Sequence, residues 1–483
     1  MLQWVVRSEE FACRTPGNRR AFQRKRAFRM AETTTTDIPT TRRTDAASLP
    51  RRRRVRGSDA LARLLALSPR QWGFVVFGIA FISGLFMVLV LFKLQHQVQQ
   101  DIDPYYFGKM GESIAHGHGF EGFGSLIKRR APLYPLTIGG LYALFGDHTT
   151  VVLVAHSVML AATATLAYDI ARRLFNLRTG VIAGLLCALQ PMLLRYVPTL
   201  HLETQLTLLY TLLLWLMIRF RKKPSLVNGI LVGVVAGGAT LTKAVVLLLP
   251  VAFVVGIFLE RRSAARRGQP KTRSPWLALV ALFVFMGLTI MPWTIRNYEV
   301  TGHFVPVSSG TSDAFLRGFI FSETKYITLS QPPYTDAENA SNAYFTRVAA
   351  DAGALWEADD YQTDQILNKE AKRRLIHEPL SVARKTAVGL FTFWYQLTSL
   401  KNSLLALVLA IGGWALAIVG WRRARSEGTS TWVVFTAILY LNLVLAPLLA
   451  LGRYSVPVIP ALMVMAAYGI DTLLGRRIRL TGE

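Results

Sequence analysis

Cysteine and charged residues are scarce in this sequence. Only two cysteines occur, Cys13 and Cys187, so neither a disulfide framework nor a metal–thiolate site can be built. Charged residues make up 17% of the chain against 52% hydrophobic residues, and the mean hydropathy is +0.33. These values exclude an ordinary soluble domain of this length, and the long apolar runs predict a polytopic membrane protein.

Acidic residues are the scarcer charged class, with 29 aspartates and glutamates against 55 lysines and arginines and a net charge of +26. Such a charge could indicate nucleic-acid binding. However, the basic residues fall mainly in a leading tail and in short tracts beside apolar segments, which is the topology signal of a membrane protein. We therefore expect no nucleic-acid partner and a multi-pass protein of the cell membrane, surrounded by membrane lipids.

The composition divides the chain into three regions. Residues 1–70 carry the run Arg51–Arg54 and few large apolar side chains, so we expect a disordered basic cytoplasmic tail, in which Met30 is an alternative start. Residues 71–475 form the predicted transmembrane domain. Residues 476–483 form a second basic cytoplasmic tail.

The transmembrane domain is predicted to be all-α, with about 10–11 or more spanning helices. Arginines before the first span, Phe74–Phe92, place the N-terminus in the cytoplasm and the large loops 93–132 and 296–401 outside it. Residues 133–146 are too short to span and are interpreted as a re-entrant segment, with a short tilted span as the alternative. The other predicted spans lie at 151–168, 181–194, 206–220, 226–239, 245–259, 277–295, 404–421, 432–451 and 456–474.

The second outer loop, 296–401, carries three local patterns. The segment Gln331–Asp336 contains two prolines and predicts a loop, whereas Asp351–His377 has helical spacing. The aromatic stretch Phe391–Tyr395 is typical of a helix at the membrane interface. We expect this loop to cover a site on the outer face.

The first outer loop, 93–132, combines acids, aromatic residues and bases. Carboxylates and guanidinium groups beside lipid are costly for stability, but they suit chemistry on an anionic lipid headgroup. The alternatives are a solvated turn at the acids and an interfacial anchor at the arginines. The residues concerned are Asp101, Asp103, Tyr105 and Tyr106, then Gly117-His118-Gly119-Phe120, then Arg129-Arg130-Ala131-Pro132-Leu133-Tyr134-Pro135.

Further motifs follow in a fixed order along the chain: Glu203 in Thr-Leu-His-Leu-Glu-Thr, Thr242-Lys243, Pro292-Trp293-Thr294-Ile295-Arg296-Asn297-Tyr298, Gly302-His303-Phe304-Val305-Pro306-Val307, and Arg453 before Pro457 and Pro460. Each motif is weak alone. Their joint order over about 72–475 resembles the integral-membrane glycosyltransferases of the GT-C fold, in the protein-mannosyltransferase-like branch that includes the aminoarabinose transferases of lipid A.

The resemblance implies a hexosyl- or pentosyltransferase that takes a sugar from a polyprenyl-phosphate carrier on the outer face. The acceptor would be an envelope lipid, glycan or protein. An acceptor hydroxyl needs a carboxylate to take its proton, and the departing lipid phosphate needs cations. By this resemblance the base is Asp103, and Asp101 remains the alternative.

The resemblance also distributes the remaining roles. The residues predicted to bind the donor phosphate are Arg129, Arg130, Lys243 and Arg453. The residues predicted to orient the substrate are Glu203, Tyr106, Arg296 and Asn297, although Arg296 and Asn297 could instead cap the outer end of a helix.

No metal is predicted, because His116 and His118 have no nearby third ligand and two such histidines more often shape a turn. No cofactor is implied with certainty. The pair Asp101 and Asp103 leaves a divalent cation open. The alternative function is a transporter or flippase of lipid-linked sugars, but such a carrier concentrates charges at mid-membrane, whereas here they cluster at the outer ends of helices.

Overall fold

The computed structural model of the protein describes residues 67–92, 102–120, 130–268, 275–323, 333–355 and 361–480, all within one compact unit, Leu64–Glu483. The described residues form helices and no strand. The α-helices are α1 Pro69–Phe92, α2 Ile102–Ala115, α3 Leu133–Phe145, α4 Thr149–Leu174, α5 Leu177–Ala188, α6 Pro191–Leu194, α7 Glu203–Lys222, α8 Leu226–Thr242, α9 Leu249–Arg266, α10 Trp276–Thr301, α11 Thr311–Phe321, α12 Pro333–Asp351, α13 Tyr361–His377, α14 Pro379–Tyr395, α15 Leu400–Ser426, α16 Trp432–Leu445 and α17 Ile459–Leu480. Short 3₁₀ turns at Ala244–Val246 and Gly452–Val458 precede α9 and α17.

Six helical stretches of the described chain are long and apolar enough to cross a membrane. They are Pro69–Val90, Thr149–Leu174, Ala244–Arg266, Trp276–Thr301, Leu400–Ser426 and Gly452–Gly475. Four shorter apolar helices, α3, α5, α8 and α16, accompany them. The predicted all-α polytopic fold is confirmed, and α3, at 13 residues, is as short as the sequence indicated.

Several predicted boundaries are wrong, and prolines explain two of them. The predicted span 181–194 is broken, because α5 ends at Ala188 and Pro191 starts the separate turn α6. The predicted span 432–451 ends at Leu445, two residues before Pro447. The predicted span 206–220 lies in α7, which begins with an acid, ends with three basic residues in its last turn, and is not among the six long apolar stretches.

The loops also contain more helix than predicted. Loop 93–132 contains α2, and the segment 331–336 is not a loop throughout, because α12 begins at Pro333, a position where proline costs no hydrogen bond. The predicted helix 351–377 is shorter, because α12 ends at Asp351, Gly353 adopts a positive φ of 72°, and α13 begins at Tyr361. At the chain ends, α1 begins at Pro69, inside the predicted tail, and α17 continues to Leu480. Residues 1–66 lie outside the described residues.

Two close helix contacts fix the elements that carry the polar site. In the first, α2 crosses α3 at glycines: a Cβ on Gly111 would lie 2.3 Å from Cγ2 of Ile138, and one on Gly139 would lie 2.5 Å from Cγ2 of Ile114. In the second, α8 lies directly against α10, where a Cβ on Gly233 would lie 2.3 Å from the Leu282 carbonyl oxygen. Small residues at such contacts allow two helix backbones to approach closely.

Helices α11 to α14 form a helical layer that we call the cap. Lys385 of α14 is buried, donates a hydrogen bond to the Phe315 carbonyl oxygen of α11, and lies 3.4 Å from the Phe315 ring centroid. The cap packs on the bundle through Phe321 and Ala337, which share an apolar cluster with Leu451, next to Tyr454. The cap therefore borders the 3₁₀ turn that precedes α17.

Candidate functional site

Asp103 lies in the first turn of α2 and contacts two guanidinium groups. Arg130 Nη2 donates to Asp103 Oδ1 at 3.0 Å, and Arg453 Nη1 lies 3.2 Å from Asp103 Oδ2. The side chains are 33% exposed for Asp103, 15% for Arg130 and 24% for Arg453. One carboxylate thus contacts two arginines that are far apart in the sequence, each through a different oxygen.

The position of Arg130 follows from local packing. Its guanidinium lies 5.0 Å from the ring centroid of Tyr106 and 5.7 Å from that of Phe107, both on α2. Phe107 meets Tyr134 of α3 edge to face at 5.0 Å. Tyr134 in turn bonds His156 of α4, 3.3 Å from its hydroxyl to Nε2. The predicted substrate-orienting residue Tyr106 therefore lies against a predicted phosphate ligand.

A third cation, Lys243, lies near Arg453. Lys243, directly after α8, places its Nζ 3.7 Å from the Tyr454 ring centroid. Arg453 Nη2 donates to the hydroxyl of the same tyrosine at 3.2 Å. Tyr454 therefore separates Lys243 from Arg453, which keeps two cations close to each other without direct contact.

Glu203 is the first residue of α7 and is only 3% exposed. Its Oε2 is buried and has no hydrogen-bond partner among the described residues. A buried carboxylate oxygen without a partner is costly, so it marks a place where a ligand or water can bond. His201, two residues earlier, is also buried, and its Nδ1 lies 3.0 Å from Thr199 Oγ1.

The charges around Asp103 control its protonation. Burial alone would raise the pKa of the Asp103 carboxyl group, but the nearby Arg453 and Arg130 guanidinium groups outweigh it and hold this pKa well below its usual range. Asp103 is therefore ionised at any physiological pH. It can accept a proton only if Arg130 and Arg453 bind another anion in its place.

The motif around Trp293 forms a separate group at the end of α10. Trp293 Nε1 donates to the Val307 carbonyl at 2.8 Å, and Asn297 Nδ2 donates to the Val305 carbonyl at 3.0 Å. Arg296 lies over the Trp293 ring, 4.7 Å from its centroid. Asn297 is only 2% exposed, and its amide holds the segment that follows α10 against that helix. No contact joins Arg296 or Asn297 to the Asp103 group in the described chain.

Sequence reasoning assigned no role to two residues of the site. His201 lies close enough to lower the pKa of Asp103 further, and Tyr454 contacts both Lys243 and Arg453. Both are sequence neighbours of residues that were predicted, Glu203 and Arg453. That adjacency was the available signal. Two other predicted residues, Asp101 and Arg129, lie outside the described residues.

The site offers little to a metal ion. Within the described ranges, no three His, Cys, Asp or Glu side chains are grouped as metal ligands. His116 bonds Asp147 instead, 3.2 Å from Nε2 to Oδ2. Asp103 already contacts two guanidinium groups, which makes it a poor ligand for a cation.

Comparison with known proteins supports the fold. The family described as dolichyl-phosphate-mannose-protein mannosyltransferase matches residues 129–293. The oligosaccharyltransferase AglB from Archaeoglobus fulgidus, in complex with an inhibitory peptide and a dolichol-phosphate, is similar with a TM-score of 0.51 and 13% identity, over 84% of this chain and 51% of that chain. The same enzyme tethered with an acceptor peptide gives a TM-score of 0.52 at 13% identity, over 84% and 50%.

ArnT from Cupriavidus metallidurans bound to undecaprenyl phosphate is similar with a TM-score of 0.38 and 15% identity, over 83% of this chain and 78% of that chain. No curated protein sequence matches significantly. The chain spans about half the length of AglB. It is a multi-pass membrane protein with the GT-C fold, and the resemblance drawn from its sequence is confirmed at that level.

Proposed function

We propose that the chain is a glycosyltransferase that moves a sugar from a polyprenyl-phosphate-linked donor to an acceptor on the extracytoplasmic face, with Asp103 as the base. The observation that carries this proposal is the contact of one carboxylate with Arg130 and Arg453 at 3.0 and 3.2 Å. The family match and the dolichol-phosphate bound to AglB support a lipid-phosphate donor.

The chemistry requires an acid–base group and cations in one place. The acceptor oxygen attacks the anomeric carbon and gives its proton to Asp103, while the bond between that carbon and the phosphate oxygen breaks. The leaving polyprenyl phosphate gains one negative charge. Arg453 and Lys243 are placed to stabilise that charge, and preorganised cations of this kind are a main source of rate enhancement. Arg130 would hold the phosphate equally in the ground state and the transition state.

Donor binding and base activation are coupled in this arrangement. A phosphate competes with Asp103 for both guanidinium groups, since Arg binds phosphate as readily as carboxylate. When the arginines turn to the phosphate, Asp103 loses the charges that depress its pKa, and it becomes a stronger base. The base is thus activated only when a donor is present.

Glu203 and Tyr106 complete the proposed site. The unpartnered Oε2 of Glu203 can accept a hydrogen bond from a sugar or acceptor hydroxyl.

The position of the charged groups favours an enzyme over a carrier. They lie at helix ends, where an enzyme acting on a headgroup needs them: Asp103, Glu203, Lys243 and Arg453. A carrier of lipid-linked sugars would need charges along a path through mid-membrane.

The test is transfer by purified protein from synthetic polyprenyl-phosphate mannose and related donors to a panel of lipid, glycan and peptide acceptors. Asp103→Asn should lower turnover by about a hundredfold to ten-thousandfold, because an amide keeps the shape but accepts no proton. Glu112→Gln, an exposed acid on the same helix that pairs with Lys109, is the matched control and should retain activity. Asp101→Asn should be milder. Wild-type turnover in Asp103→Asn would refute the assignment, and the reverse ranking of the two aspartates would move the base to Asp101.

A further inference from the structure

A polar cavity of about 300 Å³ lies away from Asp103, between the end of α10, the start of α11 and one face of α13. Its volume is at the lower end of the range for small-molecule sites, about 300 to 1,000 Å³. The segment 302–310, which we call the strap, forms one wall. The lining residues are Thr301, Val305, Ser309, Gly310, Thr311, Ser312, Asp364, Gln365 and Asn368.

The strap is held in place by α10 rather than by the cavity. Trp293, Thr294 and Asn297 bond the carbonyl groups of Val307, Pro306 and Val305, at 2.8, 2.8 and 3.0 Å. Because α10 holds the strap on one side, the strap is ordered without a ligand and its other side can contact one. The cavity is therefore preformed, which lowers the entropic cost of binding.

The lining is rich in uncharged hydrogen-bonding groups. Ser312 Oγ donates to Asn368 Oδ1 at 3.3 Å, which fixes the orientation of that amide. The Ser309 hydroxyl is buried, and no described residue bonds to it. A buried hydroxyl without a partner in a native fold calls for a ligand or a water at that position.

The chemical class of the ligand follows from this lining. None of the described lining residues is a lysine, arginine or histidine, and Asp364 adds negative charge, so a phosphate or carboxylate is disfavoured. Hydroxyl, amide and carboxylate groups together offer both donors and acceptors, as a polyol requires. The lining also exposes apolar carbon surface, against which the C–H face of a sugar ring can pack.

The cavity also lies within reach of the proposed catalytic group. Trp293, two turns before Thr301, packs against Met110 of α2, and Asp103 lies two turns before Met110. At about 1.5 Å per helical residue these steps are roughly 12 and 10 Å, so a glycan of several sugars can reach from one place to the other.

We propose that this cavity binds a neutral sugar unit of a glycan acceptor and so selects the acceptor. This inference rests on the proposed function, since it names the acceptor class of the same enzyme. Thr311 and Gln365 would donate and accept hydrogen bonds at the entrance, because both are exposed at the cavity rim.

The test measures binding separately from transfer. Saturation-transfer NMR on the full chain in nanodiscs, with mannotriose and maltotriose as neutral probes, should detect binding by wild-type protein. Gln365→Leu and Thr311→Val should each weaken it about tenfold, which corresponds to roughly 1.4 kcal/mol. Gln362→Leu, on the same helix, and Thr346→Val, on α12, lie outside the cavity and should bind like wild type.

Asp103→Asn should keep saccharide binding while losing transfer, so the two proposals fail separately. Saccharide binding that depends on Gln365 in a protein without transferase activity would support the cavity and refute the proposed function. Transfer activity together with no saccharide binding, or with equal binding in all variants, would overturn the cavity proposal. Preference for a sugar phosphate over the neutral probes would also overturn it.

Discussion

Replacing Asp103 by asparagine should tighten the binding of the lipid-phosphate donor, even though it stops transfer. In the described structure the carboxylate contacts both Arg130 and Arg453, at 3.0 and 3.2 Å. A phosphate must displace these contacts before it can use either guanidinium group. Asparagine removes the competing charge and leaves the arginines available.

The size of the gain in donor affinity follows from the solvent exposure of the two ion pairs, Asp103–Arg130 and Asp103–Arg453. The three side chains are 15% to 33% exposed, so each pair is partly screened by solvent. At the upper part of the range for such pairs, about 0.5 to 1 kcal/mol each, the two together contribute about 1 to 2 kcal/mol. Donor affinity should therefore rise by about five- to thirtyfold.

The assay is equilibrium binding of a non-hydrolysable polyprenyl phosphodiester to purified protein in nanodiscs, with Glu112→Gln as the control. The ratio of variant to wild-type affinity should be largest at pH 8 and should not rise as the pH is lowered to 5. The lowered pKa keeps Asp103 charged in the donor-free protein across this window, whereas a bound donor withdraws the two guanidinium groups, raises this pKa and so favours proton uptake in the wild type only. Equal or weaker donor binding by Asp103→Asn would refute the competition between carboxylate and phosphate.

Three further changes test other parts of the description. Arg130→Ala should raise the apparent Michaelis constant for the donor about tenfold or more with little change in turnover. Normal donor affinity in this variant would show that Arg130 is only an interfacial anchor. Burial lowers the pKa of Lys385 to about 7, so the unfolded chain binds more protons than the folded chain between about pH 7 and 10. The unfolding temperature of the wild type should therefore rise with pH in this range. Lys385→Met should remove that rise, and parallel pH profiles for the two proteins would contradict the prediction. In a cysteine-free background, Lys369→Cys should react with an impermeant thiol reagent from outside and Lys223→Cys should not, and the reverse pattern would overturn the topology.

Apolar length predicted most of the bundle, because a membrane-crossing helix needs a long run without charges. It also predicted most of α7, at 206–220, because Glu203 at the start of this helix and Arg221 and Lys222 at its end lie outside that apolar run. Helix α2 was missed, since its mixed polar sequence gives no apolar run and only Pro104 indicates a helix start.

The candidate site was predictable in part. Asp103 and Arg130 are 27 residues apart in a motif, so their proximity could be expected from the sequence. Arg453 is far along the chain, and no local pattern states that it shares a carboxylate with Arg130. The polar cavity behind the strap was not predictable at all, because it forms only when α10, α11 and α13 meet.

Glycine positions carry one more prediction, since the contact between α8 and α10 depends on the absence of a side chain. A Cβ on Gly233 would lie 2.3 Å from the Leu282 carbonyl oxygen, which is backbone and cannot rotate away. Gly233→Ala should therefore push the helices apart and cost about 1 to 3 kcal/mol, as overpacking does. Because Lys243 directly follows α8, the same shift should move its ammonium group from the Tyr454 ring and reduce transfer.

Gly287 is the matched control, since it lies in the middle of α10 and a Cβ there would meet nothing within 4 Å. Gly287→Ala should leave transfer unchanged and stabilise the helix by about 0.5 to 1 kcal/mol, because alanine restricts the unfolded chain. Thermal unfolding of the purified proteins and donor turnover measure both effects. Equal unfolding temperatures for the two variants would show that α8 and α10 are not held in close contact, and the placement of Lys243 beside Arg453 would then lose its structural basis.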